Sequence, residues 1–195
     1  MIIKKQKILQ NYPFEKINPP VTLVEGCKAY DGAIGDELGK PHKGIDFVRK
    51  KGKKYLSFDV FSSQEGKAFQ GLSKTWGKFV SVRQEINDIR LDTIYVHLDE
   101  VNPKIPVLPS KDVEIKFVPI KAGEWLGTAG ITGNTKGVTQ LHWEMHQKNL
   151  KTGKRKILDP YGVYDLASSG KYPQPGESLK GLSHYFASDN PKFSK

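Results

Sequence analysis

Two short stretches, far apart in this chain, carry side chains that could converge on one ion. His42 and Asp46 lie in Pro41-His42-Lys43-Gly44-Ile45-Asp46-Phe47, and His142 lies in Gln140-Leu141-His142-Trp143-Glu144. Imidazole nitrogen and carboxylate oxygen are ligand types that hold zinc, and three protein ligands with one open position is that metal's catalytic arrangement. His42 and Asp46 would supply two ligands from one turn, and His142 the third from a strand. One carboxylate and two neutral imidazoles would leave a Zn2+ centre with a single positive charge, and such a cation lowers the pKa of bound water toward about 7. A lone His-x-x-x-Asp arises often by chance. Here it is followed, in order, by Tyr95-Val96-His97-Leu98 and by Leu141-His142-Trp143-Glu144-Met145 after a glycine-rich approach.

Strand geometry refines the third stretch. Side chains at i, i+2 and i+4 share one face, so Gln140, His142, Glu144 and His146 are expected to point together. At roughly 3.3 Å per residue, His146 lies about 13 Å along from His142, too far to share one zinc, and it reads as a rim or surface histidine. Glu144, about 6.6 Å along, suits an acceptor behind a ligand imidazole, a partner that fixes tautomer and basicity. An ordinary strand salt bridge is the alternative for Glu144. Tyr95 and His97 are two residues apart and are expected to share a face, from which both could look into a groove. For Tyr95, packing in the core is the competing expectation.

Taken together, His42-Lys43-Gly44-Ile45-Asp46, Tyr95-Val96-His97-Leu98 and Gln140-Leu141-His142-Trp143-Glu144 resemble the lysostaphin/LytM-type zinc endopeptidases, which cut the peptide part of bacterial peptidoglycan. The resemblance covers roughly residues 20 to 162. It implies a mainly β fold: an antiparallel sheet forming a groove or sandwich, of the duplicated hybrid motif kind, with long loops and little helix. It implies Zn2+ held by His42, Asp46 and His142. It makes His97 the non-ligand histidine near the metal-bound water and the scissile carbonyl, able to orient that water or to donate to a developing oxyanion. The family's closing motif is His-x-His, and its first histidine, a second catalytic group, is replaced here by Gln140. An amide can donate a hydrogen bond but exchanges no proton near neutral pH. The approach Gly137-Val138-Thr139-Gln140 is also one residue longer than the family's. Two readings follow. One is an endopeptidase acting on cross-bridges or stem peptides; the other is a catalytically weak or inactive wall-binding or regulatory module on the same scaffold.

The remaining sequence bounds these readings. Lys and Arg number 31 against 21 Asp and Glu, giving +10, which favours polyanions such as an anionic cell wall. No nucleic-acid motif accompanies the charge, so specific nucleic-acid binding is not expected. No run approaches the ~20 apolar residues of a membrane span. The start, Met1 to Asn11, is too polar for a signal-peptide core, so either the chain acts without one or its start has been trimmed, and the export route to the cell-envelope or extracellular location implied by the resemblance is unknown. Cys27 alone forms no internal disulfide. Oligomeric state is not legible.

The elements that must position the site read as follows. Residues 1–20 form a polar, proline-bearing lead-in, 21–165 the peptidase domain, and 166–195 an irregular tail with one short helix near Leu179–Phe186. Strands are expected at Val21–Val24, Gly44–Arg49, Tyr55–Phe61, Gly66–Gln70, Gly77–Arg83, Thr93–Leu98, Val138–Gln147 and Arg155–Leu158, rich in β-branched and aromatic residues and separated by Gly, Ser, Asn and Asp. Asp31–Lys40 and the proline-bearing Pro103–Pro119 are expected loops, and Lys50–Lys54 a basic hairpin tip.

Overall fold

The computed structural model describes residues 12–23, 36–37, 40–41, 43–108, 116–158, 160, 174–175 and 194–195. The strands are β1 (Val21–Leu23), β2 (Asp36–Glu37), β3 (Lys40–Pro41), β4 (Ile45–Lys51), β5 (Lys54–Tyr55), β6 (Asp59–Phe61) and β7 (Gly66–Ser73). They continue with β8 (Gly77–Ile86), β9 (Ile89–Val101), β10 (Val118–Ile120), β11 (Trp125–Ala129), β12 (Leu141–Asn149) and β13 (Arg155–Leu158). No helix occurs among the described residues, so none is long and apolar enough to cross a membrane. The backbone is one large antiparallel sheet in the order β1-β4-β12-β9-β8-β7-β10. Strand β11 joins β6 to β9, β13 extends β12, β5 extends β4, and β2 pairs with β3 apart from the sheet.

The register sorts the two faces. Directly opposed residues of an antiparallel pair share a face, so Gly71, Phe79, Val96, His142 and Asp46 form one row across five strands. Phe69, Ser81, Ile94 and Glu144 form the next row, and Lys67, Arg83, Asp92 and His146 the one after. The opposite face is the core. Ile45, Phe47, Val80, Val82, Tyr95, Leu141 and Trp143 are fully buried there in one cluster. Trp143 packs on Phe47 with ring centroids 6.1 Å apart and planes tilted by 47°. The alternation His142-Trp143-Glu144 therefore puts the chemistry on one face and the largest hydrophobic anchor on the other.

Several expectations shift. Tyr55–Phe61 is not one strand: β5 closes a hairpin on β4, and the chain then crosses to β6, which pairs with β11. The Ser57 hydroxyl donates to the Ala129 carbonyl at 2.5 Å, fastening that crossing. The lead-in is less polar in its role than in its composition. Phe14 is buried in the core against Phe47 and Phe58, with Tyr12 and Ile17 packed beside it. Phe61 N–H donates to the Pro13 carbonyl. Residues 102–108 and 116–117 are irregular as expected, and Pro119 falls in β10, at the sheet's edge where a missing N–H is tolerated. The basic run turns at Gly52, with φ 60, and Lys50, Lys51, Lys53 and Lys54 are exposed. Cys27, most of the expected loop 31–40 and the expected helix near Leu179–Phe186 lie outside the described residues.

Candidate active site

Asp46 and His142 meet because β4 and β12 are neighbours in register. Asp46 opposes His142, and its Oδ1 lies 2.6 Å from His142 Nδ1. On the other side of the ring, Nε2 lies 2.8 Å from Glu144 Oε1. Both carboxylates only accept, so each ring nitrogen donates to one of them. Burial disfavours the charged ring, but the Asp46 charge, its hydrogen bond and Glu144 outweigh it and push the His142 pKa up to about 10. Glu144 is 2% exposed. Burial would raise its pKa, but hydrogen bonds from His142 and His146 hold it down at about 2. His146 Nε2 donates to Glu144 Oε2 at 2.6 Å. His146, its side chain 32% exposed, lies at the rim of this face with its ring tied to Glu144.

The third expected ligand, His42, lies outside the described residues. Among the described residues no group of three or more His, Cys, Asp or Glu gathers to hold a metal ion. The donors that are described nevertheless suit a borderline cation: one carboxylate oxygen and one imidazole nitrogen converge, while Glu144 occupies the other ring nitrogen. His142 Nδ1 is thus the nitrogen able to share an ion with Asp46.

His97 reaches this face by breaking the period-2 rule. Lys78 opposes Leu98 and Phe79 opposes Val96, which leaves His97 as the extra residue of a bulge. Its φ is 67, in the left-handed region, at a cost of order 1–3 kcal/mol for a non-glycine residue. Three hydrogen bonds hold it there. His97 N–H donates to the Trp76 carbonyl, Gly130 N–H donates to the His97 carbonyl, and Nδ1–H donates to the Thr132 carbonyl at 2.9 Å. The 73–77 turn docks on the 130–134 loop through backbone contact. A Cβ on Gly77 would lie 2.3 Å from Thr132 backbone, and one on Gly133 would lie 2.4 Å from Gly77 N. The His97 ring centroid stands 6.0 Å from that of His142. Burial lowers the His97 pKa, against the raising effect of the Thr132 carbonyl. Near neutral pH the ring is neutral, with its proton on Nδ1 and the Nε2 lone pair free to accept.

Tyr95 does not join it, and its expectation as a groove residue is corrected. The bulge falls between Tyr95 and Leu98, so the two rings diverge. Tyr95 is fully buried in the core, its hydroxyl paired with Ser63 Oγ at 2.7 Å and accepting from Ser63 N–H at 2.8 Å. Gln140 is half-buried and precedes β12, meeting Gly130 through a single bridge in which its N–H donates to the Gly130 carbonyl.

Sequence reasoning missed the part played by Gly44. A Cβ there would stand 2.5 Å from the Trp143 carbonyl oxygen and 2.9 Å from both Glu144 Cγ and His142 Nε2. The carbonyl belongs to β12 and cannot swing aside. Gly44→Ala is expected to destabilise the metal-free protein by about 1–3 kcal/mol, read from urea unfolding. An alanine variant as stable as wild type would mean that β4 and β12 sit further apart.

Residues 40–155, well over half of the chain, match Peptidase family M23. Three solved structures are similar in fold at low identity. A variant of the catalytic domain of the prophage-encoded M23 protein EnpA from Enterococcus faecalis is 18% identical, over 76% of this chain and 94% of that one, with a TM-score of 0.47. LytU is 21% identical, over 71% of this chain and 81% of that one, with a TM-score of 0.47. Csd3 from Helicobacter pylori is 18% identical over 73% of this chain, with a TM-score of 0.44, and the match spans only 32% of Csd3. By its sequence match, this chain belongs to Peptidase family M23.

Proposed function

We propose that the chain is a zinc-dependent endopeptidase hydrolysing peptide bonds of bacterial peptidoglycan, in cross-bridges or stem peptides. Family membership supports peptide hydrolysis. The observation that carries the metal is the 2.6 Å approach of Asp46 Oδ1 to His142 Nδ1, with the other ring nitrogen taken by Glu144. In this reading His42, Asp46 and His142 hold Zn2+. Bound there, the ion supplies Lewis-acid polarisation of a peptide carbonyl and acidifies water. Asp46 and His142 orient the reacting groups from adjacent strands, and Glu144 keeps the His142 Nε2 proton in place. His97 Nε2 accepts a proton from the attacking water and returns it to the departing amine. Gln140 contributes a hydrogen-bond donor without proton transfer. The +10 charge suits an anionic wall, in the cell envelope or outside the cell.

The test is metal content together with release of new amino groups from purified peptidoglycan. Wild type is expected to take up one zinc per chain and to open peptide bonds, and His142→Ala to do neither. A folded wild type that takes up no zinc overturns the reading. Wild type that binds zinc and wall without cutting, and that gains cleavage as Gln140→His, would favour a noncatalytic wall-binding module instead.

A further inference from the structure

We propose that His146 is a positioning residue of this site: its Nε2–H fixes the Glu144 carboxylate that orients the His142 ring, and so sets how tightly the Asp46–His142 pair takes a divalent cation. The geometry is a chain of three side chains on one face of β12. His142 Nε2 meets one oxygen of Glu144 at 2.8 Å, and His146 Nε2 meets the other at 2.6 Å. The Glu144 side chain is 3% exposed while the His146 ring covers it, so removing that ring takes away the donor on the Oε2 side. A buried acceptor deprived of its donor seeks another. Without His146, the carboxylate can turn toward other donors only by loosening its hold on His142.

The strand spacing keeps His146 about 13 Å along from His142, so its influence on an ion at His142 runs through Glu144 rather than through a bond of its own. Its cross-strand neighbour does not compete for the ring. Asp92 opposes His146, but Arg83 already pairs with Asp92 at 2.6 Å and lies over the Phe69 and Phe117 rings. Among the described residues, Glu144 is the carboxylate that His146 pairs with. Partners behind a metal ligand change affinity by roughly 10–100-fold when removed, and one step further out the lower end is expected.

The inference rests on the zinc reading for one of its two measurements only. Zinc affinity is measured by chelator competition for wild type, His146→Ala, His146→Thr and His146→Gln. The alanine and threonine variants are expected to bind roughly tenfold more weakly. The glutamine variant, whose amide can still donate to Glu144, is expected to stay near wild type. Threonine favours strand and covers the case in which alanine fails to fold. The second measurement uses metal-free protein: the nitrogen-resolved proton signal of His142 Nε2–H. It is expected to be slowly exchanging in wild type and in His146→Gln, and lost or shifted in the other two. Wild-type affinity and an unchanged signal in His146→Thr overturn the inference. A wild type that takes up no zinc overturns the proposed function instead, and the His142 signal then decides on His146 alone.

Discussion

Asp46→Ala is expected to abolish stoichiometric zinc uptake and measurable peptide hydrolysis, and to destabilise the metal-free protein by about 3–5 kcal/mol. The two effects have one origin. Asp46 Oδ1 is the carboxylate oxygen facing His142 Nδ1, and both side chains are buried. Removing one member of a buried pair leaves the other charge short of its partner, which costs more than the pair gains by forming. The sign with pH follows from the raised pKa. In the unfolded chain His142 titrates near 6.5, and in the folded, metal-free protein near 10. Its protonation therefore stabilises the fold fully below about pH 6.5, and the contribution is lost as pH rises through about 10. Wild-type unfolding midpoints should fall across that window, and Asp46→Ala should flatten the fall. A variant with wild-type stability near neutral pH would show that the two residues do not pair.

His97→Ala is expected to keep its zinc and lower kcat/KM by about 10²–10⁴-fold, the range for losing a general acid or base. His97 stands 6.0 Å from His142 between ring centroids, with Nδ1–H committed to the Thr132 carbonyl, which leaves Nε2 for the proton transfer proposed above. Because burial lowers its pKa, the base form persists to more acid pH than that of an ordinary imidazole. The acid limb of kcat/KM in wild type should accordingly lie below about 6.5. Metal analysis beside steady-state kinetics checks the separation. An alanine variant with wild-type kcat/KM would remove His97 from the reaction, and one that loses zinc would make it part of the metal site.

Much of this architecture is written in local pattern. Strands expected at Gly77–Arg83, Thr93–Leu98 and Val138–Gln147 from β-branched and aromatic residues between Gly, Asn and Asp turns are present with wider or shifted bounds, 77–86, 89–101 and 141–149, and the two-residue period correctly joins His142, Glu144 and His146 on one face. The errors arise where tertiary contacts override that period. Tyr95 and His97 separate because a bulge opposite Lys78 and Phe79 adds one residue, and nothing local to Tyr95-Val96-His97 signals it. What fixes the bulge is the docking of the 73–77 turn on the 130–134 loop, a meeting of segments more than fifty residues apart. Phe14 looked like part of a polar lead-in because its partners, Phe47 and Phe58, come much later in the chain. Gly44 was readable as a motif letter but not as a steric requirement, since the atoms a side chain would meet belong to β12.

The pairing pattern also divides the site by how it is held. β12 is bonded to β9 from His142 to Asn149 and to β4 and then β13 along the other edge, so Asp46 and His142 face each other from strands held in register. His97 depends instead on close backbone contact between Gly77, where β8 begins, and Gly133 of the 130–134 loop, where neither glycine leaves room for a side chain. The histidine proposed for proton transfer is thus secured by a junction of turn and loop, and the pair proposed to hold an ion by strand register, so a substitution can disturb one half of the centre and spare the other.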